Sequence, residues 1–315
     1  MPQTIFPLPR TLMIGPSDIA GVVNLGNFGV PAGATGAIVE VWNGSPMVRG
    51  WDVEKEGSTD NFLNDASGSI HAVGAVGCTS DLKIRCSVSG ATPRFAFYLL
   101  GYTMPGVEFF TNGILISGGL VPGVWTDIDL SPYIPVGAKG VIIRTVLTII
   151  PRNIGLRMKG STDNNIVSVT NKNNCFCGFI GCDSNRFIQG YRNLANANMY
   201  LMGYIMEGAV FYENSIDMGS PAAGVWADAP QLPENGMAGF VEVFSGSRMW
   251  LRPKDAPAYS YSYGNISLHN WQFSGSGTNR IIQIMQSAPG GGFFLTGYAT
   301  FMPPAAQTNN ATGVT

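Results

Sequence analysis

The residues best suited to chemistry are two histidines and a cysteine, His71, Cys175 and His269, which occupy matching positions of an internal repeat. Histidine and cysteine are the ligands that soft divalent metals prefer. If the repeats close into a ring with this position at its axis, the three side chains would converge. Most positions in a repeat are not axial, so we predict no metal site and name these three residues as the ones a site would need.

Two identical Gly-Ser-Thr-Asp-Asn segments, residues 57–61 and 160–164, supply carboxylates in matching loops. Asp60 and Asp163 could bind Ca²⁺, which takes six to eight oxygen ligands. Each loop offers only one carboxylate. Ser and Asp side chains that accept backbone N–H hydrogen bonds explain both segments without a metal, so we predict turns.

The cysteines resemble a zinc pattern only in part. Cys175, Cys177 and Cys182 have the spacing C-x-C-x4-C, but no fourth cysteine lies nearby and a structural zinc site needs four ligands. Cys78 matches Cys182 in the repeat, and a serine takes that place in the third copy. We therefore predict small, packed side chains, no cofactor and a reduced state, since the chain has 5 cysteines, an odd number.

Aromatic residues mark the repeat most clearly. Tyr102, Tyr204 and Tyr298 each follow a glycine in an aromatic-apolar-variable-Gly-Tyr stretch that recurs about every hundred residues. We predict that each ring packs in a core while its hydroxyl holds a loop. Trp125 and Trp226 share the motif Gly-Val-Trp, and we interpret them as core anchors.

Composition excludes several functional classes. Only 12% of residues are charged and the net charge is -2, so no basic surface for nucleic acid is indicated. No run of 18 apolar residues and no secretory signal occurs, which argues against a membrane segment. The sequence contains neither a G-x-S-x-G elbow nor a phosphate-binding loop, so we expect no enzyme; a glycosidase would need a carboxylate pair in one groove.

The matching segments divide the chain into three units, at residues 13–106, 107–208 and 209–304. Each unit contains short runs of β-branched and aromatic residues separated by Gly, Pro, Asn and Asp. We predict an all-β protein of three tandem antiparallel β-sandwich domains, jelly-roll-like, that can form a pseudo-three-fold body. Residues 1–12, rich in proline, are predicted to be an extended arm, and residues 305–315 a flexible tail.

Glycine-rich β-sandwich units, low charge, a proline-rich N-terminal arm and the Leu-x-Gly-Tyr closing strand resemble the virion proteins of tailed bacteriophages. The nearest group is the jelly-roll capsid decoration, or cement, proteins. This resemblance implies a structural virion protein that is assembled in the host cytoplasm and clamps the capsid lattice through broad protein contacts. The implied partners are the major capsid protein, other virion proteins and further copies of the chain.

Two details complete these expectations. The proline-rich arm would bind the partner through Ile5, Phe6, Pro7, Leu8 and Pro9, and its deletion would weaken docking without harming the fold.

The alternative function is a head-fibre or tail component with carbohydrate-binding sandwich modules. It would require exposed tryptophans at equivalent positions of the units.

Overall fold

The structure is a computed structural model. It describes residues 3–15, 20–44, 49–60, 62, 64–66, 70–89, 95–147, 152–169, 175–195, 197–245, 248–256, 261–263 and 268–301. Strands dominate this part of the chain, and the helical segments in it are two short 3-10 turns, Leu25–Phe28 and Thr278–Arg280. No helix among the described residues has the length and apolar character needed to span a membrane.

Each unit contains eight strands in the same order. Unit 1 comprises β1 Ile5–Ile14, β2 Ala20–Asn24, β3 Gly36–Asn43, β4 Arg49–Lys55, β5 Asn64–Ala66, β6 Ile70–Gly77, β7 Lys83–Val88 and β8 Phe95–Thr103. One sheet has the order β1-β8-β3-β6 and the other β2-β7-β4-β5, with all pairs antiparallel. Two four-stranded sheets connected in this way form a jelly roll.

Units 2 and 3 repeat this topology strand for strand. Unit 2 comprises β9 Val107–Leu115, β10 Thr126–Asp129, β11 Gly140–Leu147, β12 Arg152–Met158, β13 Val167–Val169, β14 Cys175–Gly181, β15 Phe187–Arg192 and β16 Ala197–Ile205. Unit 3 comprises β17 Ala209–Asp217, β18 Ala227–Asp228, β19 Gly236–Ser245, β20 Met249–Pro253, β21 Tyr261–Tyr263, β22 Leu268–Gly275, β23 Ile282–Gln286 and β24 Gly292–Thr300. The predicted all-β fold of three tandem jelly-roll sandwiches is confirmed.

Alternation along the strands places one face of each sheet in a core. In β16 every second residue is buried, as expected for a strand with one covered face. The sheet that contains the first, eighth, third and sixth strands of each unit faces the other units, and we call it the inner sheet. The sheet of the second, seventh, fourth and fifth strands is the outer sheet.

The three units close into a ring. The sixth strands β6, β14 and β22 contact one another pairwise. Each sixth strand also contacts the first strand of the next unit, β6 with β9, β14 with β17 and β22 with β1. Because the last of these contacts returns from unit 3 to unit 1, the body has a pseudo-three-fold axis.

Equivalent residues of the inner sheets share one hydrophobic core at this axis. Its layers combine unequal side chains from the three units, in the sets Ile5, Val107 and Ala209; Ile38, Ile142 and Phe240; and Ala75, Phe179 and Phe273. The rings of Phe179 and Phe240 stack with centroids 4.7 Å apart. Large side chains in one unit therefore compensate for small ones in another, which three identical copies could not do.

Thr4 provides the clearest case of this inequality. Its equivalents in units 2 and 3 are Gly106 and Gly208, both with positive φ. A Cβ on Gly106 would lie 2.8 Å from Thr4 Cγ2, and one on Gly208 would overlap Thr4 Oγ1. The axis has room for one side chain at this level.

The predicted N-terminal arm is wrong for residues 5–12, which lie in β1. Ile5 and Phe6 pair with Thr103 and Tyr102 of β8, and Ile5 is fully buried in the shared core. Prolines are tolerated here because β1 is an edge strand, and the pairing is irregular between Pro7 and Thr11. The sequence looked like an arm because this irregularity breaks the two-residue period. The predicted tail, residues 305–315, lies outside the described residues.

Candidate functional site: the unit junctions and outer sheets

The repeated Gly-Ser-Thr-Asp-Asn segment holds unit 1 against unit 2. Asn112 Oδ1 of β9 accepts hydrogen bonds from Ser58 Oγ at 3.1 Å and from the Thr59 backbone N–H at 2.9 Å. In return, Asp60 Oδ2 accepts the backbone N–H of Gly113 at 2.6 Å. We call this set the loop–asparagine contact. The Asp60 carboxylate is therefore used to bind the next unit.

The same contact recurs between units 2 and 3. Asn214 Oδ1 of β17 accepts from Ser161 Oγ at 3.2 Å and from the Thr162 N–H at 2.7 Å. Asp163 Oδ2 accepts the Ser215 N–H at 2.6 Å. The predicted turns thus exist, but the sequence did not show that they bind a neighbouring unit. Their spacing to Asn112 and Asn214, more than 50 residues, gave no local signal.

Among the described residues, the junction between units 3 and 1 shows neither half of this contact. The equivalent loop of unit 3 reads Lys254, Asp255 and Ala256. Arg10 follows the paired residue Pro7 by three positions, as Asn112 and Asn214 follow the equivalent Phe109 and Phe211. At this junction Gln3 Nε2 donates to Met237 Sδ at 3.0 Å, while the neighbouring Thr4 Oγ1 donates to the carbonyl of Glu207, at the end of unit 2, at 2.7 Å. The N-terminal segment therefore replaces the loop–asparagine contact.

A charged side chain is buried at the same position of each third strand. Arg144 of β11 forms an ion pair with Asp52 of unit 1 and donates to the Val53 carbonyl at 3.2 Å. Glu242 of β19 instead accepts from Asn165 Nδ2 of unit 2 at 2.7 Å. Both side chains therefore form contacts across the junction between two units.

In unit 1 the equivalent residue is Glu40, which is fully buried. It forms an ion pair with Arg10 at 2.7 Å, and the Arg10 guanidinium lies 3.2 Å from the centroid of the Tyr98 ring. One fold position thus carries three different polar arrangements. Removing one partner of the Arg144–Asp52 pair would leave a buried charge at the junction between units 1 and 2, whereas the Glu40–Arg10 pair lies within unit 1.

The junction between units 1 and 2, which we call junction 1/2, also contains a carboxyl group with a shifted pKa. The junctions between units 2 and 3 and between units 3 and 1 are called junction 2/3 and junction 3/1. Burial, together with a hydrogen bond to Asp52, raises the pKa of Glu54 to about 7, although its ion pair with Arg85 acts in the opposite direction. Glu54 therefore loses its proton near neutral pH, where carboxyl groups in water are already ionised.

The outer sheet of unit 2 bears a continuous ladder of polar side chains. Lys159 pairs with Asp127 at 2.7 Å, and Gln189 donates to Asp127 at 2.9 Å. Arg157 Nε donates to Gln189 Oε1 at 2.8 Å, and the Arg157 guanidinium stacks 4.1 Å above the Trp125 ring. Each side chain in this ladder orients the next.

Unit 3 carries the same ladder with the same residue types. Lys254 pairs with Asp228 at 2.6 Å, Gln283 donates to Asp228 at 2.9 Å, and Arg252 Nε donates to Gln283 at 2.9 Å. The Arg252 guanidinium lies 4.0 Å above the Trp226 ring.

The interpretation of Trp125 and Trp226 as core anchors is wrong. Both side chains are half-buried and lie on the outer face, beside the aspartates of the ladder. Trp125 precedes Asp127 by two residues, and strand alternation puts both on one face. The shared Gly-Val-Trp motif indicated a repeat position correctly but not which face it occupies.

The three repeated tyrosines pack as predicted only in part. Their rings are covered by aromatic residues of the first strands: Tyr102 stacks on Phe6 at 4.8 Å, and Tyr298 packs against Tyr212 at 5.8 Å. Tyr204 lies 6.0 Å from Phe110. Within the described part of the chain their hydroxyls make no hydrogen bond.

A glycine is needed before each tyrosine because the paired first strand lies very close to it. At Gly101, an added Cβ would lie 2.6 Å from the backbone carbonyl of Phe6 in the paired first strand, and Gly203 and Gly297 meet equivalent carbonyls. The repeated Gly-Tyr therefore records a close approach of the first and eighth strands.

Cys78 and Cys182 are buried and donate to the carbonyls of Ala34 and Ala138 at 3.2 and 3.3 Å, and Ser276 donates to the carbonyl of Met237, one position further along its unit. Burial raises the pKa of Cys182 to about 11. These are the small packed side chains that the sequence predicted.

His71, Cys175 and His269 lie at the same register of β6, β14 and β22, the three strands that meet at the axis. Their side chains, and that of Cys177, lie outside the described residues. The metal candidates therefore stay a prediction. Among the described residues no cluster of three metal-ligating side chains occurs.

A crevice lies at junction 2/3 and contains Trp125, Arg157, Asp163, Glu213 and Glu242. Asp163 and Glu242 are both hydrogen-bonded across the junction. Asp163 and Glu242 therefore have structural partners in the neighbouring unit.

No protein-family model and no curated protein matches the chain. The solved structures that are similar to it include the following two. One is a chain from the atomic structure of Sulfolobus Turreted Icosahedral Virus, with 8% identity, coverage of 95% of this chain and 92% of that chain, and a TM-score of 0.23. The other is from work on the triple jelly roll fold and turret assembly in an archaeal virus, with 7% identity, coverage of 95% and 91%, and a TM-score of 0.25. Both TM-scores are low, so the jelly-roll assignment rests on the strand order of this chain.

Proposed function

We propose that this chain is a structural protein of a virus particle, assembled in the host cytoplasm, that stabilises a capsid lattice as a decoration protein. The observation that carries the proposal is the closed pseudo-three-fold ring of three jelly rolls in one chain. Jelly rolls occur in viral capsid domains and also in lectins and cupins, so the ring matters more here than the fold alone.

The ring suits a partner that presents three similar but unequal surfaces. Because the units belong to one chain, each can change independently, as the residues at the axis show. A fused ring of this kind fits a three-fold or quasi-three-fold position of a protein lattice, where it would bind through broad area and without catalysis. The partners would be the major capsid protein or other virion proteins.

Immuno-electron microscopy of purified particles tests this proposal. We expect label at regular positions on the shell, and particles from which the chain has been removed should keep their shell but rupture at lower internal pressure or temperature. Label that is absent from purified particles would contradict a virion role. A shell that fails to form without the chain would contradict decoration and indicate a shell-building subunit.

One observation favours a second candidate, the carbohydrate-binding tail or head-fibre component. Trp125 and Trp226 are half-buried at equivalent positions of the outer sheets, where a glycan could reach them. Their arginine neighbours cover part of each indole. Binding of the full chain to a glycan array, lost in Trp125→Ala and Trp226→Ala, would support this function, and an array without hits would remove it.

A further inference from the structure

The polar ladder on the outer sheet contains two cations but one carboxylate, in unit 2 as in unit 3. In unit 3 the carboxylate of Asp228 binds Lys254 Nζ at 2.6 Å and accepts a hydrogen bond from Gln283 at 2.9 Å. Among the described residues, neither Arg252 of this ladder nor Arg157 of the other forms an ion pair with a carboxylate. Each ladder therefore carries one uncompensated positive charge, on its arginine.

The guanidinium of Arg252 is held in a fixed orientation. Its Nε donates to Gln283 Oε1 at 2.9 Å, and its Cζ lies 4.0 Å from the centroid of the Trp226 ring. The described part of the chain offers no hydrogen-bond acceptor to either of its two Nη groups. A guanidinium binds an oxyanion through two such parallel donors. Arg252 lies on the outer face and is only half-buried, so an anion from another molecule can reach them.

Arg157 is oriented in the same way but has one amino group fewer to offer. Its Nε donates to Gln189 Oε1 at 2.8 Å, and its Cζ lies 4.1 Å from the centroid of the Trp125 ring. Its Nη1 donates to the backbone carbonyl of Asp163, in the loop that binds unit 3. The chain itself thus fills part of the anion site at Arg157, whereas the site at Arg252 is open.

Unit 1 shows which anion suits this position. Glu54 of β4 and Arg85 of β7 pair across the sheet, and their side chains form an ion pair. Arg157 and Arg252 occupy the place of Glu54 in their units, and glutamines take the place of Arg85. The arginine has changed strand, but each outer sheet retains one arginine at this cross-strand pair. Among the described residues, unit 1 alone supplies a carboxylate for it.

We propose that the outer sheets of units 3 and 2 bind carboxylates of a neighbouring virion protein at Arg252 and Arg157, with the stronger site at Arg252. Aspartate or glutamate side chains of the partner would provide the anion that Glu54 provides in unit 1. A single negative charge also matches the single uncompensated charge of each ladder. The exposed valines before the two tryptophans, Val124 and Val225, supply apolar area at the edge of this contact. The inference rests on the proposed function, because it assigns acidic contact groups to the lattice partner.

Fluorescence anisotropy of a labelled oligoglutamate peptide, titrated with the purified full chain at low ionic strength, tests the proposal without any particle. We expect saturable binding that weakens as salt is added. Arg252→Gln should raise the dissociation constant by at least about tenfold, because it removes a charge-assisted pair of hydrogen bonds. Arg157→Gln should raise it less, since Asp163 already occupies one amino group. The control Lys139→Gln removes the same charge from an exposed loop and should bind like wild type.

Arg252→Lys separates recognition of the guanidinium from simple charge. Lysine keeps the charge but lacks the planar pair of donors, so this variant should bind nearly as weakly as Arg252→Gln. Urea unfolding transitions that match wild type would show that the variants fold.

Three results would overturn the proposal. They are a wild-type chain that does not bind the peptide, an Arg252→Gln or Arg252→Lys variant with wild-type affinity, and tighter binding of inorganic phosphate or single-stranded DNA than of the peptide. None of them depends on where the chain lies in a particle. The carboxylate sites and the virion role tested by immuno-electron microscopy can therefore fail separately.

Discussion

Two junctions of the ring are built alike and the third is not. Between units 1 and 2, and between units 2 and 3, the loop–asparagine contact repeats with hydrogen bonds of nearly the same length. Between units 3 and 1, where no peptide links the units, Arg10 replaces the asparagine, and the N-terminal segment supplies a contact through Gln3, which donates to Met237 Sδ. A repeated contact can thus be lost where another part of the chain takes over its role.

The largest expected effect comes from deleting residues 1–12. This deletion removes most of β1, exposes the partner edge of β8 and empties the place of Ile5 in the shared core. The sequence alone suggested that the fold would survive. We now expect loss of the cooperative unfolding transition of the full chain, measured by circular dichroism during urea unfolding. A truncated chain with a wild-type transition would show that β1 is dispensable and that junction 3/1 holds without it.

The next largest effect concerns the buried charges at junctions 1/2 and 2/3. Arg144→Ala should lower the free energy of unfolding by about 3–5 kcal/mol, because it leaves Asp52 buried without its cation. Glu242→Gln should cost less than about 1 kcal/mol, since its partner Asn165 is a neutral amide that can also bond to glutamine. Urea unfolding of both variants checks this order. Equal losses would mean that the two junctions do not differ electrostatically.

Each loop–asparagine contact should contribute less to the free energy of unfolding than the Arg144–Asp52 ion pair, and the two contacts should contribute equally. Asn112→Ala and Asn214→Ala each remove the acceptor of two hydroxyls and a backbone N–H, and we expect each to cost about 1–3 kcal/mol. Amide hydrogen exchange should accelerate at Thr59 and Asp60 in the first variant and at Thr162 and Asp163 in the second. Exchange at Lys254, in the loop without the contact, should stay unchanged in both and serves as the control.

The smallest effect is a pH dependence specific to junction 1/2. The pKa of Glu54 is raised to about 7 in the folded chain from 4.5 in the unfolded chain, so the native state binds more protons between these values. Stability should therefore fall as pH rises from 4.5 to 7, by about 1–3 kcal/mol from this group. Glu54→Gln should remove that fall when both chains are unfolded in urea at several pH values. A variant with the wild-type pH slope would assign the slope to other groups.

The sequence predicted the repeat, the fold class and the small packed cysteines because each of them leaves a local or in-register pattern. The Gly-Tyr stretches recur because Gly101 and its equivalents must admit a neighbouring carbonyl. Strand alternation then indicates antiparallel sheet without knowledge of the partner strands. The second repeat was expected to start at residue 107 and the third at residue 209. β9 begins at Val107 and β17 begins at Ala209.

The contacts between units could not be predicted in the same way. Arg144 and Asp52 are 92 residues apart, and nothing near either residue indicates that they meet. Trp125 was assigned to the wrong face because a shared motif identifies a position but not its side of the sheet. Arg10 could be matched with Asn112 only once Pro7 and Phe109 were known to pair with equivalent glycines of β8 and β16.

Small-angle X-ray scattering of the full chain at low concentration tests the central claim, the closed ring, most directly. A compact body of this length should have a radius of gyration of about 20 Å. Three jelly rolls arranged in a line would give about 30 Å, since each unit alone contributes about 13 Å and their centres would be widely separated. A value near 20 Å agrees with the ring, and a value near 30 Å would contradict it.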